Sequence, residues 1–180
     1  MKKLAIVLLV VFTVLGEGCG PDSPDCFQAS GDIETVRLEV PEFSSITVFE
    51  NIELVVRYGP VQEVVLETGA NLRSDISAEV VEGTLELRDS NSCNYFRGYG
   101  RTTFYVTTPD LRVLRSSTGW PIRSDGVLPF TDLKLVSESF NNPEALTTDG
   151  SFDLEVDVVR LQIVSYGIAF FNLTGRGGQF

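Results

Sequence analysis

Histidine is absent from this 180-residue chain. That removes the commonest general base near neutral pH, the Ser-His and Cys-His nucleophile pairs, and the His-based zinc sites. Cysteine occurs only three times, at 19, 26 and 93, too few for a Cys-only zinc site once any one is used elsewhere. Basic residues are scarce beside acidic ones, 14 against 25, for a net charge of −11. Nucleic acid and anionic lipid surfaces are recognised through basic clusters, so this balance argues against both as partners. No window carries a helical stripe of apolar residues. The nearest, GANLRSDISAEV, has Leu72 and Ile76 four apart, but Gly69 and the β-branched residues that follow limit it to one short turn.

What is present begins at the N-terminus. Lys2 and Lys3 precede the apolar run LAIVLLVVFTVL, which has the length of an export-signal core and falls short of the roughly 20 residues that span a bilayer. A permanent membrane helix is the weaker alternative. The run ends in small residues and Cys19, a pattern that resembles a bacterial lipoprotein signal, with Gly16 where such signals usually carry Leu. The resemblance implies lipidation of Cys19 and a surface anchor that does not span the membrane; the alternative is ordinary cleavage near Gly18 and release. Residues 1–18 are thus expected to be a signal peptide, 19–26 (CGPDSPDC) an anchor and short tether, and 27–180 one domain. Loss of residues 1–18 takes away two lysines and one glutamate, leaving 12 basic against 24 acidic residues. The acidic residues behind Cys19 resemble the tag of surface-displayed lipoproteins in some Gram-negative bacteria, and the expected location is the outer membrane, facing periplasm or cell surface. In an exported chain disulfides persist, and with Cys19 assigned to lipid, Cys26 and Cys93 remain to pair with one another. A loop of that length would stabilise the fold by roughly 4 kcal/mol. Two separate buried thiols are the alternative.

Beyond residue 26 the periodicity is that of strands. Alternation runs through TVRLEV, SITVFENIELVVRY, QEVVLET, GTLELRD, TTFYVTT, LRVLRSS, DLKLVSES, FDLEVDV and RLQIVS, divided by turn residues at 58–60, 82–83, 108–110, 141–143 and 148–150. Leu54 and Val56, Val64 and Leu66, and Leu85 and Leu87 are predicted to supply buried faces. A weak internal repeat aligns PDLRVLRSS, TDLKLVSES and VRLQIVSYG at Leu111, Leu133 and Leu161, with spacings of 22 and 28 residues. Such spacings suit stacked β units, none of which could bury its apolar face alone.

Three segments carry a family resemblance. DCFQASGDIETVRLEVPEFSSITVFENIELVVRYG is similar to the opening, LETGANLRSDISAEVVEGTLELRDSNSCNYFRGY to the acidic hairpin with an Asn-x-Cys-Asn-aromatic segment, and TFYVTTPDLRVLRSSTG to the first regular rung of the auto-transporter adhesin, head GIN domain family. The resemblance covers roughly residues 25–175. It implies an all-β fold of stacked, β-helix-like solenoid rungs with hairpins in the N-terminal half, and Cys26 and Cys93 fall where that family places its own paired-looking cysteines. The family's Gly-Ser-Gly turns are eroded here to SSTGW, SESFNN and SYGIAFF, and the chain stops at GRGGQF where relatives usually continue, so a shortened domain with an exposed final rung is expected.

Asp149 with Asp153, or Glu155 with Asp157, could form the carboxylate pair of a glycoside hydrolase, but alternate acids on a strand read first as its solvated face. TDGSFDLEVD lacks a calcium-loop pattern, and GRGGQF does not lead from a strand into a helix as a phosphate loop must. No metal or cofactor is expected. In NYFRGYGR, Tyr95, Phe96 and Tyr99 surround Arg97 and Arg101, a set able to stack on sugar rings or anchor a protein; the blander reading is that the rings plug the end of the β stack. Trp120 in STGWPIR is either a contact residue or packs across its turn from Ile122. The expected function is a non-enzymatic, envelope-tethered binding or structural protein, adhesin-like, whose partners are the membrane through its lipid and a glycan or protein ligand. The alternative is a carbohydrate-active enzyme.

Overall fold

The computed structural model describes residues 29–49, 51–91, 102–140, 143–144 and 146–179. The signal segment, Cys19, the tether and Cys26 lie outside them, as do Cys93, Tyr95, Phe96 and Tyr99. The chain is all-β, as its alternation predicted. Among the described residues twelve strands are formed: β1 (Ile33–Leu38), β2 (Ser45–Val48), β3 (Ile52–Tyr58), β4 (Glu63–Gly69), β5 (Ile76–Val81), β6 (Thr84–Asp89), β7 (Thr102–Thr108), β8 (Val113–Ser116), β9 (Ile122–Leu128), β10 (Asp132–Ser137), β11 (Ser151–Ser165) and β12 (Phe170–Gln179). The short turn foreseen around Leu72 is a single 3-10 segment, Ala70–Asp75, with Leu72 buried.

All twelve join one sheet, in the order β1-β4-β7-β3-β9-β11-β10-β8-β2-β6-β5, with β12 also on β11. Strand β11 is long enough to serve twice. Its first half pairs in parallel with β9 and β12, and its second half in parallel with β10. The sheet therefore consists of two ladders that share β11. In the first, β7, β3, β9, β11 and β12 run parallel, with β4 and β1 antiparallel at its far side. In the second, β6, β2, β8, β10 and β11 run parallel, with β5 antiparallel at the edge.

Each ladder aligns its apolar residues in rows. Leu66, Phe104, Leu54, Ile122 and Phe152 are successive register partners across the first, and Leu85, Ile46, Leu114 and Leu135 across the second. All nine are fully buried, and both rows belong to one core cluster. The sheet is thus folded back on itself, nearly closed around that core. The pairs Leu54/Val56, Val64/Leu66 and Leu85/Leu87 face it as expected. Phe152 and Phe171 stack at the β11–β12 step, ring centroids 4.9 Å apart.

The repeat is real in one step and slips in the other. Leu133 and Leu161 are register partners, 28 residues apart, but Leu135 pairs with Leu114, a spacing of 21, so Leu111 sits buried just before β8, out of column with Leu133. Among hairpins, β5 and β6 form one through Glu82 and Gly83, both at positive φ, the geometry of the turn that matches strand twist. Strands β3 and β4 do not pair with each other, because β7 lies between them.

Candidate functional site

The outer face of β10 and the second half of β11 stands apart from the rest of the surface. On it, Asp132 is opposite Arg160, Lys134 opposite Gln162, and Val136, which is itself buried, opposite Val164. The inward alternates Leu133, Leu135 and Leu161 are in the core, which fixes the outward set by the period of the strand. Just past the strand ends, the Tyr166 N–H donates to the Ser137 carbonyl at 2.8 Å and prolongs the pairing by one step. From Arg160 to Tyr166 this strip runs roughly 20 Å.

Its two ends differ. At one, Phe140 and Tyr166 flank a cavity of about 160 Å³ completed by Glu138 and Val164. The two aromatic side chains are 86% and 76% exposed, and Ile168 and Phe170 follow at 73% and 68%. Its lining is mostly apolar, and its one charged member is braced: Arg115 Nη1 donates to the Glu138 carbonyl at 2.9 Å and to its Oε1 at 3.0 Å. The Glu138 side chain is 2% exposed and that of Arg115 17%. A buried charge is tolerated only when paired in this way. At the other end, Arg112, Asp132, Leu133, Lys134, Arg160 and Gln162 line a cavity of about 150 Å³.

The segment joining β10 to β11 is held across the second ladder. Arg88 on β6 donates to Glu86 at 2.9 Å and to Glu144 at 2.7 Å, and its guanidinium lies 3.5 Å from the centre of the Phe49 ring. Burial works against the charge on Arg88, but the bonds from Glu86 and Glu144 outweigh it and raise its pKa above the ordinary value. Ser137 Oγ adds a bond to the Thr148 carbonyl at 3.3 Å.

The acidic candidates of β11 point elsewhere, onto the outer face of the first ladder. Asp153 accepts bonds from Ser151 and Asn172, both at 3.3 Å, while Glu155 and Asp157 are exposed and stand opposite Thr174 and Arg176 of β12. Asp149 is exposed in the loop before them. This is the arrangement of a solvated strand face. Around it run exposed ion pairs, Arg123 with Glu53, Arg37 with Glu63, and Arg57 with Asp125; the hydrogen bond and charge of Asp125 raise the Arg57 pKa.

Trp120 is half-buried in the turn before β9, its N–H donating to Thr118 Oγ1 at 3.1 Å. Thr118 in turn donates to the Ile52 carbonyl at 2.9 Å, tying that turn to β3. Trp120 lines neither cavity of the strip. A larger hollow of about 410 Å³ near Phe43, Gln62 and Asp110 is closed on one side by Gln62, which accepts from the Phe43 N–H and donates to the Pro41 carbonyl.

The family described as "Putative auto-transporter adhesin, head GIN domain" matches residues 42–180. The chain belongs to this family. No curated protein matches it in sequence. Among solved structures, a "putative adhesin" of Bacteroides fragilis superposes with a TM-score of 0.67 at 17% identity, over 79% of this chain and 62% of its own. A "putative adhesin" of Parabacteroides merdae gives 0.61 at 14% identity, over 81% and 58%. A "putative lipid binding protein" of Parabacteroides distasonis gives 0.50 at 14%, over 74% and 60%. At these identities the likeness is one of fold, and the head GIN domain here spans about three-fifths of the length of those solved relatives.

Sequence reasoning missed the strip, although the repeat holds its signal. Aligned at Leu111, Leu133 and Leu161, the three segments place Arg112, Lys134 and Gln162 in one column. Phe140 and Tyr166 stand in the stretches read only as eroded turns of the head GIN pattern.

Proposed function

We propose that the protein is a non-enzymatic, adhesin-like binding or structural protein of the cell envelope, whose ligand contacts lie on the outer strip of β10 and β11. The observation that carries this reading is the pair of exposed aromatic rings, Phe140 and Tyr166, flanking a mostly apolar cavity whose one charged lining residue, Glu138, is held in place by Arg115. Exposed rings beside a few fixed polar groups are the usual equipment of a contact surface for a glycan or a protein. The names carried by the family and its solved neighbours support the same class. In this reading the paired ladders act as stacked, β-helix-like rungs that hold the strip rigid. Cys19 carries the lipid that tethers the domain, Cys26 and Cys93 form a bridge, and Tyr95, Phe96, Tyr99 and Trp120 provide further contacts.

A glycan-binding screen on the purified domain tests it, comparing the wild type with a Phe140→Ala/Tyr166→Ala variant and with a Tyr95→Ala/Phe96→Ala/Tyr99→Ala variant. Binding is expected to fall about tenfold or more in the first. Retained binding in both variants would remove the aromatic surface from consideration, and release of oligosaccharide would replace it with the carbohydrate-active enzyme.

A further inference from the structure

The opposite end of the strip carries a separate feature. Three cationic side chains, Arg112, Lys134 and Arg160, converge on one cavity of about 150 Å³ in a chain whose net charge is −11. Two of them have carboxylate partners: Arg112 Nε is 3.1 Å from Asp110, and Arg160 Nη1 is 2.8 Å from Asp132. Both pairs are more than half exposed, the class whose net worth is about 0–1 kcal/mol, so either guanidinium can turn to another acceptor at little cost. Lys134 differs from both. It is half-buried between its neighbours on β8 and β11, and among the described residues no carboxylate pairs with it. The one carboxylate lining the cleft, Asp132, is taken by Arg160, which leaves the Lys134 ammonium without a partner of its own, and two flanking guanidiniums have the fork geometry that oxyanions take up.

We infer that the cleft formed by Arg112, Lys134 and Arg160, with the Gln162 amide at its side, is a binding site for an oxyanion: the sulfate, phosphate or carboxylate group of a ligand. The chain's overall negative charge does not forbid it. At physiological salt the Debye length is about 8 Å, so the field at the bottom of the cleft is set by these three cations and their two partners. One small oxyanion, free or borne on a sugar, fits.

The site rests on charge and geometry at its own end of the strip, not on the aromatic surface. Titration calorimetry on the full domain with inorganic sulfate, and separately with a sulfated oligosaccharide, reads it out, using Lys134→Gln and Arg112→Gln/Arg160→Gln variants with Arg176→Gln as an outlying control. Sulfate is expected to bind saturably, with affinity falling about tenfold in Lys134→Gln and unchanged in Arg176→Gln. Thermal unfolding of each variant separates a lost site from a lost fold. Binding of the oligosaccharide alone, abolished by Lys134→Gln, supports the site and identifies the oxyanion as one carried by a sugar. Absence of saturable binding by either probe, or binding undiminished in Lys134→Gln, overturns the inference. The Phe140→Ala/Tyr166→Ala variant should bind sulfate as the wild type does, whatever becomes of the aromatic surface.

Discussion

Two glycines show how one residue type meets two different demands. Gly83 has φ +75 and no atom within 4 Å of where a Cβ would stand, so a side chain there costs only its left-handed backbone. Gly175 has φ +122, and a Cβ would lie 1.9 Å from the Val156 carbonyl oxygen on the neighbouring strand. Gly83→Ala is therefore expected to cost about 1–2 kcal/mol and Gly175→Ala more than that, because strand β12 must also move off β11; urea unfolding of the two variants gives the comparison. A second residue-scale test is the Arg115–Glu138 pair. Removing Glu138 takes from Arg115, whose side chain is 17% exposed, the carboxylate that pairs with it, and Glu138→Ala should cost about 3 kcal/mol in urea unfolding, the lower end for breaking a buried pair. Gly83 was legible from its Glu-Gly dipeptide between two alternating runs. Gly175 was not, since GRGGQF has no alternation and nothing in a sequence tells which carbonyl will lie against it.

At the scale of elements, strands with clean alternation were legible and those whose alternation is broken were not. Strand β9 reads IRSDGVL, and the structure explains the disorder of its pattern. Between Asp153 and Glu155 of β11 the register on β9 moves from Arg123 to Val127, so Ser124, Asp125 and Gly126 bulge out, and Ser124 Oγ takes the Glu155 N–H at 2.8 Å. A bulge puts residues out of phase with the pleat, which hides a strand from any rule of two. The pairing of β7 between β3 and β4 was equally out of reach, for strand order is set by long-range packing and not by local pattern. Where alternation holds, its energetic meaning can be checked. Leu54→Ala, in the middle of the first ladder's buried row, should cost about 2–5 kcal/mol, whereas Val55→Ala on the outward side should cost less than about 1 kcal/mol. Denaturant midpoints with an unchanged slope would bear this out.

On the scale of the whole molecule, the excess of acidic residues is spread over an outer surface where many cations already have carboxylate partners, as Arg37, Arg57, Arg123 and Arg160 do. What remains is acidic self-repulsion, which opposes the compact state. Raising ionic strength from about 0.01 M to about 0.15 M shortens the Debye length from roughly 30 Å to 8 Å, and the melting temperature is expected to rise; a fall would mean that the exposed ion pairs outweigh the repulsion. The two sheet faces were legible as a class, since alternation and repeat announce stacked strands. The strip was legible only in part: Arg112 and Lys134 share a column in the aligned repeats, but Arg160 does not, and their partnership with Phe140 and Tyr166 depends on where β10 ends and how the following segment turns.

The position of β7 also sets a schedule for a chain made from its N-terminus. Strand β4, which carries β1, has β7 on its other side, and β3 reaches β4 only through β7. Until residue 108 has been synthesised, β3 lacks the strand that connects it to the β1–β4 pair, and β2 is flanked on both sides only once β6 and then β8 have been made. Within the first hundred residues β1 can pair with β4, and β2 with β6 and β5, while β3 is left without a neighbour among the described strands. The two pieces are therefore expected to close around one core only when the strands from β7 to β11 arrive, a late closure set by contacts far apart in the sequence.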